Sequence, residues 1–550
     1  MLPLNTDSFR STSKLAQASF LLVLVLALFL SFHNLGTGAN FGHGTGIDES
    51  WYIQTIQEMR MSGRWWLPTR EGEPFFYKPP LKFWLVELVL SVVPESMVAH
   101  RLLDAALGSL FICATYFIGA VMFSSTVAGF FAALALMGCN LFLFNNGVRY
   151  ATLDTLLITL GSAVLLLIWK YTETNSASIE RNRQLKLGAL IGLLVGLNVL
   201  NKSVAGYYPF MIAGAWIVLS GRLFWTLKER FWFYLAMGIV SVAIPACWFV
   251  PHALWTPGAY ERMVGYEIVG RFSKGFHHAK DRLFYWNIFL HNYTFPPLVA
   301  LGALLFGALM FRTNERRKYA FLILWVVLPF MLYSKLHSRL PWYIAPCYLP
   351  MALLIGAAIS KLWSYGRNHF NASGIRKSIP ISSIVLAALC VVQLGLFTYK
   401  NAQAVMLGSP RLDIDRVTDA IRRDPRWGTD QKFIFILEPL KIATREQIFY
   451  NMFDKNIVRV TTLDDLFKAA KDTSGAFVIT HGHAREILHT LRMTYYRQMR
   501  PVAFDQGPTA SRRLHPATAL TNADLTLEEA AKLGFKPAAQ ADLPRAPKSE

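Results

Sequence analysis

The chain has 550 residues, of which 53% are hydrophobic and 39 are Phe. That is too apolar for a water-soluble protein of this length, and recurring apolar runs of about 20 residues mark transmembrane helices. The net charge of +20 falls largely in short loops between those runs, as cytoplasmic loops do; with no zinc-finger spacing and no separate basic helix, it excludes nucleic acid as a partner.

Arg10 and Lys14 precede the first apolar run, Leu15 to Phe32, and no small-residue cleavage site follows. The run reads as a retained first helix with its N-terminus in the cytoplasm, not as a signal peptide. The next polar stretch then lies outside. Asp48 to Met61 is expected to be a helix stopped by Gly63. Trp51, Ile56 and Met59, with Trp65 and Trp66 beyond, give it a body for the membrane interface. Asp48 and Glu49 open this helix, and as a bare pattern Asp48 also fits a plain N-cap. Lys78-Pro79-Pro80 then introduces a second amphipathic piece, Pro80 to Val93, apolar but interrupted by Lys82 and Glu87.

Charge decides whether 80–93 crosses the membrane. Loops rich in Lys and Arg lie at 170–186, 220–231, 312–318 and 361–377. All four are cytoplasmic if 80–93 does not cross, and all face outward if it does. It is therefore read as an interfacial helix. The spans are then 15–33, 98–122, 126–145, 152–169, 187–201, 205–219, 232–254, 295–311, 319–334, 342–360 and 380–399, about eleven in all. This places Asp48 and Lys78, the turn from Asn145 to Asp154, Asn201-Lys202, the loop 255–294 and Lys335 to Arg339 at one outer face. Cys113, Cys139, Cys247, Cys347 and Cys390 all fall in apolar runs and read as small buried hydrophobes.

After about residue 400 the composition changes. Phe433 to Leu437 and Ala476 to Thr480 read as strands, Leu463 to Ala470 and Ala484 to Leu491 as helices. The expectation is a membrane domain over 1–400, an α/β domain over 401–514 and a loosely ordered tail over 515–550, rich in Ala, Pro and charge.

Four further stretches carry chemistry. Arg149-Tyr150-Ala151-Thr152-Leu153-Asp154 puts a carboxylate at a membrane border, costly unless paired or used; the plain alternative is a helix cap paired with Arg149. Leu200-Asn201-Lys202 puts a lysine in a tight hairpin, where simple snorkelling is the alternative. The loop 255–294 holds Tyr266-Glu267, Arg271-Phe272, His277-His278 and His291, and its length fits a lid or groove wall. Adjacent histidines are a weak metal signal, because neighbouring side chains diverge. Lys335 to Pro346 is a dense polar cluster in which Lys335, Arg339 and Tyr343 are candidate phosphate ligands, against an aromatic belt with snorkelled cations.

Taken in order on one side, these motifs resemble the GT-C superfamily of polyprenyl-phosphate-sugar-dependent glycosyltransferases. The resemblance is strongest to the bacterial branch of lipid A aminoarabinose transferases and protein O-mannosyltransferase-like enzymes, and it runs from residue 15 to about 400. It implies a polytopic α-helical membrane protein of the GT-C type, with about 11–13 transmembrane helices and juxtamembrane helices, plus the small C-terminal α/β domain. It implies a catalytic role for Asp48, with Glu49 beside it and Asp154 as second acidic residue. Lys78, Arg271 and Tyr343 would hold the lipid-linked phosphate, with Lys335 and Arg339 close by; Tyr52, Arg149 and Lys202 are further candidates. The implied partners are a polyprenyl-phosphate-linked sugar, a glycolipid, glycan or protein acceptor, and membrane lipids. The implied location is the bacterial inner membrane, multi-pass, with the site facing the periplasm.

Two departures from the family pattern stand out. Aminoarabinose transferases carry a metal-binding Glu just before Lys-Pro-Pro, where this chain has Tyr77. A phenol is a poor ligand for a divalent cation, so any metal falls to Glu49, His277 and His278, and metal dependence is expected to be weak. His337-Ser338-Arg339 also departs from the more usual Lys-Leu-Pro run. A lipid-linked sugar transporter is a competing class, but it would show internal pseudo-symmetry and charges at the midplane. A scaffold that only binds a partner is a third class, against which the paired acidic residues argue.

Overall fold

The computed structural model describes residues 14–36, 46–70, 72–173, 179–270, 283–290, 294–369 and 378–408, and five strands between 433 and 521. It divides into two compact units, Met1–Leu35 with Trp51–Leu407, and Gly36–Ser50 with Gly408–Glu550. The helices in chain order are α1 (Lys14–Phe32), α2 (Gly46–Ser62), α3 (Leu81–Leu90), α4 (Met97–Met122), α5 (Thr126–Gly138), α6 (Asn140–Phe144), α7 (Asp154–Glu173), α8 (Arg181–Lys202), α9 (Tyr208–Leu219), α10 (Leu223–Glu229) and α11 (Phe231–Trp255). They continue as α12 (Phe284–Leu290), α13 (Pro297–Leu309), α14 (Arg316–Lys335), α15 (Tyr348–Asn368) and α16 (Ser378–Leu407). A two-residue hairpin, β1 (Thr69–Arg70) with β2 (Glu73–Pro74), lies between α2 and α3.

Among the described residues, eight stretches are long and apolar enough to cross a membrane, with 181–219 counted as one, and two shorter apolar helices, Thr126–Gly138 and Pro297–Arg312, accompany them. Every expected span coincides with a helix. The stretch 126–145 is not continuous: Cys139 takes an extended ψ of 103° and splits it into α5 and α6. The short stretch 187–219 holds two helices, because α8 ends at Lys202 and Ser203 breaks it at φ 50°. A 3-10 turn, Ser203–Tyr207, then leads into α9. Gly206 lies so close to the main chain of Asn198 and Val199 that a Cβ would sit 2.4 Å from Val199 N. α8 lies tightly on α11 through Gly188, Gly192 and Gly196, whose missing side chains admit Phe233, Met237 and Ile244.

α3 has ten residues, about 15 Å of helix against a hydrocarbon core of about 30 Å, so it is too short to cross. Its two interrupting charges are buried: Lys82 pairs with Asp104 at 2.5 Å and Glu87 lies 3.9 Å from Arg60. Gly63 ends α2 at φ 66°. α2 begins at Gly46, so Asp48 stands inside its first turn, not at the cap itself, where its charge favours the helix dipole.

Side-chain contacts sort the helix ends of the first unit into two polar layers. One joins the end of α1 to the end of α16 (Asn34 Nδ2 to the carbonyls of Val405 and Met406, both 3.1 Å) and α8 to α7 (Asn201 Nδ2 to Leu153 O, 2.9 Å). The other joins α7 to α14 and α9 through Glu173, which meets Arg317 at 2.6 and 2.8 Å and Trp216 at 3.2 Å. It also joins Ser125 to Ser360 at 2.8 Å and Gln184 to Glu229 O at 3.0 Å. Cys113, Cys139 and Cys347 are buried as expected, whereas Cys247 is exposed and Cys390 half-buried. Those two stand on outward faces of α11 and α16, where an apolar residue meets lipid at no cost.

The second unit holds a five-stranded sheet in the order β4-β3-β5-β7-β6: β3 (Phe433–Leu437), β4 (Asn456–Val460), β5 (Ala476–Thr480), β6 (Arg500–Phe504) and β7 (Ala517–Thr521). β3 pairs in parallel with β4 and β5, while β7 is antiparallel to β5 and β6, with a register shift between Pro501 and Ala503. Both strands read from the sequence are present. β7 lies past residue 514, in the stretch read as tail; its Ala-Thr-Ala-Leu-Thr composition is a weak strand signal, and pairing on both sides fixes it. The expected helices 463–470 and 484–491 lie outside the described residues.

Candidate active site

Lys78 closes the loop between α2 and α3, and Pro79-Pro80 turns the chain into α3 directly behind it. Its Nζ donates to Tyr77 O at 3.0 Å and to Glu267 Oε2 at 2.8 Å, and both side chains of the ion pair are largely buried. Glu267 comes from a π-helix, Glu261–Gly270, that follows α11. Three contacts lay this π-helix along the loop: Arg262 Nη1 to Pro74 O at 2.8 Å, an edge-on contact of Tyr266 with Tyr77 at 5.3 Å, and the Lys78–Glu267 pair. Beneath them Phe76 packs with Trp248, Ala259 and Met263. Trp248 Nε1 donates to Trp66 O at 3.0 Å, and His252 Nε2 meets the same carbonyl at 3.0 Å. Lys78 therefore sits on a rigid loop stapled to α11.

Asp154 opens α7 and is buried. Its Oδ1 accepts from Lys202 Nζ, while Asn201 anchors the preceding residue through Leu153 O. The two motifs read separately in the sequence thus form one clasp. Tyr333 and Tyr348 stand within electrostatic reach of Asp154. Tyr343, in a 3-10 turn Pro341–Cys347, has its ring 5.8 Å from that of Tyr333. Tyr285 OH holds this turn by donating to Leu340 O at 3.0 Å. Arg339 is buried with its Nε on Ser334 O at 3.2 Å, and Lys335 ends α14.

Arg149, which the plain helix-cap alternative paired with Asp154, meets the end of α1. Its Nη1 donates to Leu30 O (2.7 Å) and Ser31 O (3.4 Å), and its Nη2 to His33 O (2.8 Å) and Asn34 O (3.0 Å). It satisfies the open carbonyls at the C-terminus of α1, where a cation also suits the helix dipole. Arg101 adds Nη1 to Leu35 O at 2.8 Å. Burial, and then the charge of Arg101, push the Arg149 guanidinium down to about 10, so it stays charged at neutral pH.

Asp48 and Glu49 occupy the first turn of α2, with Glu49 fully buried. Tyr52, one turn on, is packed with Phe83, Phe75 and Leu153 in a core cluster. Arg271, His277 and His278 lie outside the described residues. Among the described residues no group of three or more His, Cys, Asp or Glu is disposed to hold a metal ion. Tyr77 packs between the rings of Phe75 and Tyr266.

Two pairings escaped the sequence reading. Glu267 lay in a quoted motif but had no role. Asp104, in the middle of an apolar run, was the missed signal: a carboxylate inside a span demands a partner, and Lys82 supplies it.

The profile of a family described as dolichyl-phosphate-mannose-protein mannosyltransferase matches residues 77–255, the stretch carrying Lys78, Asp154 and Lys202. An undecaprenyl phosphate-alpha-4-amino-4-deoxy-L-arabinose arabinosyl transferase of Pseudomonas fluorescens is 27% identical over 395 residues, 70% of this chain and 65% of the relative. The chain thus spans about two thirds of the length of that relative. The crystal structure of ArnT from Cupriavidus metallidurans bound to undecaprenyl phosphate superposes with a TM-score of 0.66 at 16% identity, covering 94% of this chain and 98% of that one. The archaeal oligosaccharyltransferase AglB of Archaeoglobus fulgidus, with an inhibitory peptide and a dolichol-phosphate, gives 0.55 at 14% identity, covering 94% and 75%. With the motifs around Lys78, Asp154 and Lys202 set in this fold, the chain resembles the GT-C superfamily of membrane glycosyltransferases and, within it, the lipid A aminoarabinose transferases.

Proposed function

We propose that this protein moves a sugar from a polyprenyl phosphate, with undecaprenyl phosphate as the carrier, to an envelope acceptor at the periplasmic face of a bacterial inner membrane. Lipid A or another glycolipid is the favoured acceptor class, in keeping with the names of the curated relatives. The observation that carries the reading is Lys78, a largely buried lysine on a rigid loop at the end of the helical bundle. In a dry setting such a cation binds the phosphate strongly and stabilises the charge that grows on it as the glycosidic bond breaks.

The reaction is read as a single displacement. An acceptor oxygen attacks the anomeric carbon, the bond to the phosphate oxygen breaks, and the polyprenyl phosphate leaves with the electron pair. The anomeric centre inverts. Asp48 takes the proton of an acceptor hydroxyl; if the acceptor is a phosphate, no base is needed and Asp48 orients it or steadies positive charge at the anomeric carbon. Arg271 joins Lys78 on the leaving phosphate, Tyr343 lends a hydroxyl, and Lys202 keeps Asp154 oriented. Lys335 and Arg339 contribute positive potential. Any metal dependence is expected to be weak, since Tyr77 stands where relatives have a carboxylate; activity abolished by chelators and restored by zinc would overturn that.

The family profile that matches 77–255 also favours a second acceptor class, protein hydroxyls. Mass spectrometry of envelope glycolipids and glycoproteins from cells with and without the protein separates the two. Purified protein that moves a lipid-linked sugar across a vesicle without cleaving it would refute transfer and make the protein a transporter.

A further inference from the structure

The Lys78–Glu267 pair joins residues 189 apart in sequence, with side chains 13% and 8% exposed. Among the described residues the ammonium donates to Tyr77 O and to Glu267 Oε2. A carboxylate at 2.8 Å holds the position that a phosphate oxygen would take on the same nitrogen. It rides on a π-helix, a rare winding that often appears at functional sites, whose residues 262, 266 and 267 lie along the loop 74–78.

Resting on the reading of Lys78 as a donor-phosphate ligand, we propose that Glu267 is a placeholder anion, which neutralises Lys78 while the site is empty and is displaced by the phosphate of the donor. A buried ammonium stripped of its partner is strongly unfavourable. Exchange of one anion for another avoids that state at both ends of the cycle. When the sugar has gone, return of Glu267 to Lys78 competes with the polyprenyl phosphate and hastens its departure. Glu267 acts through Lys78 and is a positioning residue, and its exchange with the phosphate favours anionic headgroups over neutral lipids.

The test is the affinity of the purified full-length protein for a polyprenyl monophosphate in detergent micelles. Parent, Glu267→Gln, Lys78→Met and the double variant are compared. A placeholder competes with the ligand, so Glu267→Gln should bind about threefold to tenfold more tightly than the parent and release the lipid more slowly. In the Lys78→Met background the same change should do nothing. A Glu267→Gln protein that binds equally or more weakly, while Lys78→Met binds poorly, would refute the placeholder and leave the phosphate reading of Lys78 intact. Equal binding by parent and Lys78→Met would overturn both. If Glu267→Gln does not fold, Glu267→Asp carries the test: its shorter carboxylate should tighten binding about twofold, and no tightening overturns the proposal.

Discussion

The two polar layers of the bundle hold their charges differently. In the layer of α3, α4, α7 and α8, cations and carboxylates are paired out of water: Lys82 and Asp104 are 1% and 0% exposed. In the opposite layer, Glu315 reaches Lys318 and Lys361 at 3.1 and 3.2 Å, but Lys361 and Glu315 are 49% and 33% exposed. Burial turns an ion pair from a minor, screened contact into one that is costly to break. The first layer holds its charges out of water; the second leaves them exposed and screened.

The sharpest test concerns Asp48, which the proposed reaction uses as its base. Asn serves a helix start about as well as Asp, so Asp48→Asn should insert and express like the parent. Its sugar transfer should fall by about 10² to 10⁴, read as release of polyprenyl phosphate by purified protein. Retention of more than about a tenth of the parental rate would return Asp48 to a purely structural role. Next in size is Asp104→Ala, which removes the buried carboxylate that faces Lys82 and should cost about 3–5 kcal/mol. The double variant Lys82→Met/Asp104→Leu should recover most of that in thermal unfolding. A loss no larger than that of a surface pair would erase the difference between the layers.

A smaller effect is expected at Glu95. His100 at 3.1 Å, and less strongly Gln57 at 3.2 Å, hold its carboxyl below the ordinary glutamate value, although burial acts the other way. A depressed carboxylate stabilises the fold above its unfolded value of 4.5 and loses that contribution as pH falls through the folded value. The melting temperature should therefore decline on acidification below that point, and Glu95→Gln should flatten the decline. The smallest effect belongs to Glu315→Gln in the exposed layer, at under about 1 kcal/mol and shrinking with salt. A cost of several kcal/mol there would mean that the two layers are built alike.

What was legible in the sequence follows the range of the forces involved. The apolar runs located the long helices of the first unit, because a helix in lipid must satisfy its own backbone, and α3 is as short as its interrupted apolar run implied. The motif residues Lys78, Asp154 and Lys202 were found, but not their partners. Lys202 with Asp154 spans 48 residues and Lys78 with Glu267 spans 189, and no local period encodes such meetings. Arg149 is instructive, because its contacts were not anticipated. Its neighbour in sequence was Asp154, yet tertiary packing gave its guanidinium to carbonyls more than a hundred residues upstream. The break at Cys139 was equally hidden, since no Pro marks it.

That same guanidinium has a consequence for how the protein is made. The C-terminus of α1 is synthesised 115 to 119 residues before Arg149. At typical elongation rates this is a gap on the order of ten seconds. Throughout it, the carbonyls of Leu30, Ser31, His33 and Asn34 lack the guanidinium that holds them in the folded protein. The first helix is therefore threaded early but seated late, when α4 to α6 have entered the membrane and the loop behind them closes over its end. A nascent chain halted before residue 149 would carry an unseated first helix, a natural point for quality control to read.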